Sequence, residues 1–339
     1  MRTRPHPLSL LVVAFVLAAG SGCGSEDADD AGAGTPGSSS SAAGAGASGA
    51  SGAGGSSAGA GGAGAGPIGG DRPVEVFVPS SYDPGTPVPL VLLLHGYTAT
   101  GALQEAYFQI EPQAEARGFL YAHPDGTQES GGSQFWNATD ACCDLYGSDV
   151  DDSAYLAQVI EDIKAAYSVD AKRVYVMGHS NGGFMSYRMA CDHADVIAGI
   201  ASLAGAMFGD PADCKASEPV NVLQIHGDVD DTILYEGGSI VGNAYPSAAT
   251  TVADWVSIDG CDATGTAGAP LDLATRADFQ DSGSAELPGT ETEVVVHGAG
   301  CKPGGHVELW TIAGGSHVPG LSPGFAPAVI DFLMAHPKP

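Results

Sequence analysis

Arg173-Val174-Tyr175-Val176-Met177-Gly178-His179-Ser180-Asn181-Gly182-Gly183-Phe184-Met185-Ser186-Tyr187-Arg188-Met189-Ala190 reads as a strand, a sharp turn and a helix. Residues 173–177 are β-branched and aromatic, and residues 183–190 place their apolar side chains at helical spacing. Gly178 and Gly182 stand two residues to either side of Ser180, which is the spacing of a nucleophile elbow. There a serine occupies a sharp strand-to-helix turn, its hydroxyl projects above the sheet, and neighbours without Cβ relieve the crowding. The N–H of Asn181 and the positive end of the following helix then face negative charge developing on a substrate oxygen. Ser180 is thus the candidate nucleophile and Asn181 a candidate oxyanion donor. In a chain with 50 glycines the pentapeptide alone is weak evidence. The flanking strand and helix weigh against the alternative, a glycine-rich turn bearing a surface serine.

Outward from this turn, strand-like runs over 74–78, 88–95, 119–123, 173–177, 197–203, 220–226 and 306–312 alternate with helical stretches over 152–167, 182–192, 248–258 and 325–335. Such alternation predicts an α/β fold, a mostly parallel central sheet with helices on both faces, with its functional loops at the carboxyl ends of the strands. Three polar motifs fall at such ends. His95-Gly96-Tyr97-Thr98 follows Leu90-Val91-Leu92-Leu93-Leu94. A glycine there lets backbone approach a carbonyl, so the Tyr97 N–H is the second candidate oxyanion donor, while His95 is read as a structural histidine bonding loop backbone. His226-Gly227-Asp228-Val229-Asp230-Asp231 follows the strand over 220–226. Asp230 is the candidate carboxylate to orient an imidazole, with Asp228 and Asp231 as competitors and a solvated acidic turn as the plain alternative. Gly314-Gly315-Ser316-His317 precedes the terminal helix and supplies His317 as the candidate general base.

A fourth segment, Gln134-Phe135-Trp136-Asn137-Ala138-Thr139-Asp140-Ala141-Cys142-Cys143-Asp144, is aromatic and cysteine-bearing. Trp136, Tyr97 and His179 are the expected substrate contacts. For Trp136 the competing reading is that it packs the loop onto the core. Asp151, in Val150-Asp151-Asp152, is read as the N-cap of the next helix.

Residues 1–23 have the form of an export signal: Arg2 and Arg4, an apolar run over 8–19, then small residues up to Cys23. Gly20-Ser21-Gly22-Cys23 resembles a lipobox without its usual leucine, so lipidation at Cys23 and free secretion are both open. Residues 24–67 are almost all Gly, Ala and Ser after a short acidic patch and read as a disordered linker. Residues 68–339 form the expected catalytic domain, with no separate lid domain. A formal charge of −28 repels phosphate backbones and argues against nucleic-acid partners. Beside Cys23 there are six cysteines, an even number suited to disulfides in an exported chain. Cys261 is paired with Cys301, a closure that contributes about 4 kcal/mol through the unfolded state. Cys142 and Cys143 are expected to bridge to Cys191 and Cys214 in an undetermined pairing. No metal site is expected.

Taken together, Leu94-His95-Gly96, Phe135-Trp136-Asn137, Val150-Asp151-Asp152, Gly178-His179-Ser180-Asn181-Gly182-Gly183, His226-Gly227 with Asp230, and Val307-Glu308-Leu309-Trp310 leading to His317 resemble the secreted esterases that include polyhydroxybutyrate-depolymerase-like proteins and feruloyl esterases. The order Ser180, Asp230, His317 is that of α/β-hydrolases. The resemblance covers roughly residues 70–339 and implies an α/β-hydrolase fold, no cofactor, and hydrolysis of carboxylic esters by Ser180, His317 and Asp230. It departs at Tyr97, where the family often has another residue. Feruloyl or acetyl esters on plant-wall xylan are the first expected substrates and short-chain polyesters the second; peptide hydrolysis and a non-catalytic surface lipoprotein come behind them. The expected protein is a monomer outside the cell, secreted or lipid-anchored, and acts on a polymeric or oligomeric ester.

Overall fold

The computed structural model describes residues 67–339. The signal, the lipidation site at Cys23 and the linker up to residue 66 lie outside the described residues. A nine-stranded sheet forms the centre. In chain order its strands are β1 (Val76–Phe77), β2 (Val88–Leu94), β3 (Leu120–Ala122), β4 (Val169–His179), β5 (Gly199–Leu203), β6 (Asn221–Gly227), β7 (Thr266–Ala267), β8 (Thr292–His297) and β9 (Val307–Ile312). Across the sheet they run β1-β3-β2-β4-β5-β6-β9-β8-β7. Pairing is parallel from β3 through β9 and antiparallel at both edges. The helices are α1 (Gly101–Phe108), α2 (Glu111–Arg117), α3 (Asp152–Ala166), α4 (Asn181–Asp192), α5 (Ala248–Asp259) and α6 (Phe325–Ala335).

Leu90 to Leu94 on β2 are all fully buried, as a strand covered on both faces requires. The seven strands read from the sequence are all present, with shifted ends. Two features were not anticipated. The antiparallel edge β8-β7 lies between Cys261 and Cys301, where Gly, Ala, Asp and Thr obscure the alternation of Thr292 to His297. Helices α1 and α2 are short, and what marks them is local: Thr100 accepts from Leu103 N–H as an N-cap, and Pro112 stands in the first turn of α2. Asp151 caps α3, accepting from Ala154 N–H at 2.9 Å.

The disulfides correct one expectation. Cys261 pairs with Cys301, but Cys142 bonds to Cys143 and Cys191 to Cys214. Cys191 lies in the last turn of α4 with the Cα of Cys214 only 4.9 Å away. Cys142 and Cys143 are joined by a cis peptide that brings their Cα atoms to 3.0 Å, within a turn where Ala138 and Thr139 both donate to the Cys142 carbonyl. The expectation of separate bridges rests on the general rule that adjacent cysteines seldom bond to each other.

Asp259 ends α5 and is fully buried. One carboxylate oxygen accepts from Val220 N–H at 3.3 Å, and the other has no hydrogen-bond partner among the described residues. Burial, opposed by that bond and by the Lys302 charge, pushes the carboxyl up to about 7. Since an unfolded aspartate titrates near 4, the folded chain holds a proton between those values that the unfolded chain has released. Stability therefore falls as pH rises through this window. In thermal melts at pH 5 and pH 8, Asp259→Asn is expected to lose less of its midpoint than the wild type does. Equal losses in both proteins would contradict the assignment.

Candidate active site

The sheet delivers the polar motifs to one end. Ser180 follows the last residue of β4 and precedes α4, with φ 54° and ψ −120°. Strain of this kind persists where the surroundings enforce it. They do: a Cβ on Gly178 would lie 2.3 Å from the Gly182 carbonyl oxygen, and one on Gly182 would lie 2.1 Å from that of Leu94. The glycine spacing is thus a packing requirement of the turn against α4 and β2.

His317 Nε2 is 2.9 Å from Ser180 Oγ, and its Nδ1 is 2.8 Å from Asp230 Oδ2. Asp230 is buried, whereas Asp228 and Asp231 are exposed. Its Oδ1 accepts from the N–H groups of Thr232 and Ile233, each at 2.9 Å. Burial opposes its ionisation, but hydrogen bonds and charge from His226 and His317 outweigh that and hold the carboxyl well below the usual carboxylate range. Asp228 instead accepts from Gly314 N–H at 2.6 Å and so ties this loop to the His317 loop. The His317 loop is bracketed further by Ser316, which donates to the Ala277 carbonyl and to Asp278 Oδ2, and by the Tyr107 hydroxyl, which donates to the Pro319 carbonyl at 2.7 Å.

The loop after β2 reaches the same place. A Cβ on Gly96 would be 3.5 Å from that of Ser180, so this backbone lies directly against the candidate nucleophile. His95 behaves as the structural histidine expected of it: Nδ1 donates to the Gly96 carbonyl at 2.8 Å and Nε2 accepts from Gly126 N–H at 2.9 Å. Burial lowers its pKa and keeps it neutral. Tyr97 is half-buried and donates its hydroxyl to Glu129 at 2.9 Å; burial first, then Glu129, pushes its pKa up. Asn181 opens α4, so its N–H has no acceptor within the helix.

Two expected substrate contacts do not reach a surface. Trp136 is 0% exposed and His179 is 2% exposed. Trp136 packs on the His95 ring with centroids 5.0 Å apart, which is the core reading. His179 donates from Nε2 to the His317 carbonyl at 2.9 Å and packs on Tyr107. Burial, and after it the neighbouring His317, pushes its pKa down to about 3, so it supports the loop as a neutral ring.

One residue of the site was missed from sequence. His226 Nε2 donates to the Ile233 carbonyl at 2.8 Å and lies 3.2 Å from Asp230 Oδ2, while its Nδ1 faces Gln224 Nε2 at 3.2 Å. A signal existed: Gln224 and His226 are polar at a period of two among the apolar Val222, Leu223 and Ile225, placing both on one face.

A family model described as "Putative esterase" matches residues 66–239, just over half of the chain. The chain belongs to this esterase family. It is 30% identical over 257 residues to feruloyl esterase B of Piromyces equi, covering 74% of this chain and 43% of that one. It is 34% identical over 125 residues to poly(3-hydroxyalkanoate) depolymerase C of Paucimonas lemoignei, covering 35% of this chain and 28% of that one. The chain thus spans less than half the length of either relative. Among solved structures, the acetyl xylan esterase from Aspergillus awamori aligns with a TM-score of 0.53 at 16% identity, over 77% of this esterase and 93% of that chain. That similarity is one of fold, the α/β-hydrolase fold. In this esterase no group of three or more His, Cys, Asp or Glu among the described residues is arranged to hold a metal ion, and no described helix is long and apolar enough to cross a membrane.

Proposed function

We propose that this esterase hydrolyses carboxylic esters with Ser180 as nucleophile, His317 as general base and acid, and Asp230 as the carboxylate that orients the imidazole. The observation that carries the reading is the unbroken hydrogen-bonded line Ser180–His317–Asp230 at 2.9 and 2.8 Å, starting from a serine on a strained elbow. His317 takes the Ser180 proton as Oγ attacks the ester carbonyl. Asp230, ionised and fixed by two backbone N–H groups, stabilises the resulting imidazolium. The N–H groups of Tyr97 and Asn181 receive the oxyanion. The alkoxide departs with the His317 proton, water attacks the acyl-enzyme with His317 as base, and the acid is released.

Feruloyl or acetyl esters of xylan are the proposed substrates, supported by the relative named a feruloyl esterase, which aligns over 74% of the chain. The relative named a polyhydroxyalkanoate depolymerase supports short-chain polyesters as the second reading. An extracellular site, free or anchored through Cys23, accords with the pairing of all six remaining cysteines. The test is hydrolysis of methyl ferulate, p-nitrophenyl acetate and a short hydroxybutyrate oligomer by the purified protein. Turnover of ferulate well above that of the oligomer is expected. Turnover of the oligomer alone would replace the first reading with the second, and inertness toward all three would remove both.

A further inference from the structure

The proposed chemistry asks the N–H groups of Tyr97 and Asn181 to converge on one oxygen, although they sit on segments far apart in the chain. Trp136 touches the supports of both. Its N–H donates to Asn181 Oδ1 at 2.8 Å, and its carbonyl accepts from Asn181 Nδ2 at 2.9 Å, so the carboxamide is clamped at two points. That carbonyl also accepts from Cys143 N–H at 3.3 Å, and Asn181 Nδ2 lies 3.5 Å from Cys142 Sγ. The bonded cysteine pair therefore closes the far side of the clamp. In the other direction the indole Nε1–H donates to the His95 carbonyl at 3.1 Å. His95 opens the Gly96-Tyr97 turn and is itself held by Gly96 and Gly126. Trp136, Asn181 and His95 are each 0% exposed.

Resting on the ester-hydrolase reading, we propose that Trp136 is a positioning residue that sets the spacing between the two oxyanion donors. Donors aimed at a developing charge act only within a few tenths of an ångström of the right place. Apolar packing alone has no direction, whereas the three Trp136 contacts to Asn181 and His95 are directional and lie on opposite sides of the residue. A phenyl ring at 136 would fill most of the volume and keep the backbone clamp. It would also leave the buried His95 carbonyl without its indole donor, a loss the Gly96-Tyr97 turn would relieve by shifting.

The experiment compares full-length wild type, Trp136→Phe and Asn181→Ser in p-nitrophenyl acetate hydrolysis and in binding of phenylboronic acid, whose boron adds to a serine oxygen to form a tetrahedral anion. For Trp136→Phe, kcat is expected to fall roughly tenfold to a hundredfold, with KM within about twofold and boronate affinity falling in step with kcat. A merely structural residue would not couple those two quantities. A folded Trp136→Phe variant with wild-type kcat and boronate affinity, or with its whole loss in KM, overturns the proposal. Should that variant not fold, Asn181→Ser, which keeps the backbone N–H at 181 and the indole, is judged by the same split. The two readings fail in different ways: a wild type that cleaves no ester and takes no fluorophosphonate at Ser180 removes the hydrolase reading and this proposal with it, whereas an active wild type with unaffected variants removes only the proposal.

Discussion

Ser180→Ala is expected to lower kcat for p-nitrophenyl acetate by on the order of 10⁵-fold and to leave the thermal midpoint nearly unchanged. Alanine keeps a Cβ at the strained φ of 54°, so the elbow loses no packing atom except Oγ. Among the described residues no other hydroxyl is hydrogen-bonded to His317 Nε2, so no second nucleophile is in place. What remains is binding and the oxyanion donors, which by themselves leave a residual rate above water. Fluorophosphonate labelling should vanish with the activity. A variant that keeps more than about one per cent of wild-type kcat would mean that the nucleophile lies elsewhere.

Asp230→Asn is expected to cost about 10⁴-fold in kcat, for a reason visible in the surrounding donors. The Thr232 and Ile233 N–H groups, each at 2.9 Å, hold an oxygen at the Oδ1 position. The amide nitrogen of asparagine is then directed to the Oδ2 position, where it meets His317 Nδ1 at 2.8 Å and His226 Nε2 at 3.2 Å. His317 must turn its Nδ1 lone pair toward that nitrogen, which puts its proton on Nε2 and leaves nothing to accept from Ser180. Asp228→Asn is the contrasting variant. The Asp228 side chain is exposed and accepts from the Gly314 N–H, a bond that the asparagine oxygen can keep, so a change within about twofold is expected of a surface substitution of this kind. Equal losses for the two variants, measured side by side in steady state, would contradict the choice of Asp230.

His226 makes the second of these predictions sharper than sequence reasoning permits. It shares Asp230 Oδ2 with His317, so an asparagine nitrogen at that position also faces the His226 N–H, while turning the amide over would set that nitrogen against the Thr232 and Ile233 N–H groups; neither orientation satisfies every buried partner. The histidine was visible in the strand, but its partner was not: a residue four positions further on becomes a neighbour only because the turn after β6 folds Asp230 back over the strand end.

The elbow, the order of the three candidate catalytic residues and the parallel sheet were legible in the sequence because each follows from local rules. Glycines at 178 and 182 are demanded by clashes with backbone only a few residues or one strand away, and apolar runs such as Leu90 to Leu94 report two-sided burial directly. Partner choice was decided by tertiary structure alone. Whether Trp136 faced a substrate or a buried amide depended on Asn181, and whether Cys142 bonded to its neighbour or to Cys191 depended on where the end of α4 met Cys214. In the same way, the choice of Asp230 over Asp228 and Asp231 depended on where His317 arrives from the far end of the chain. Steric and periodic constraints act over a few residues and can be read along the chain. Hydrogen-bond and disulfide partners are selected by distance in space, and only the packed sheet and its loops set those distances.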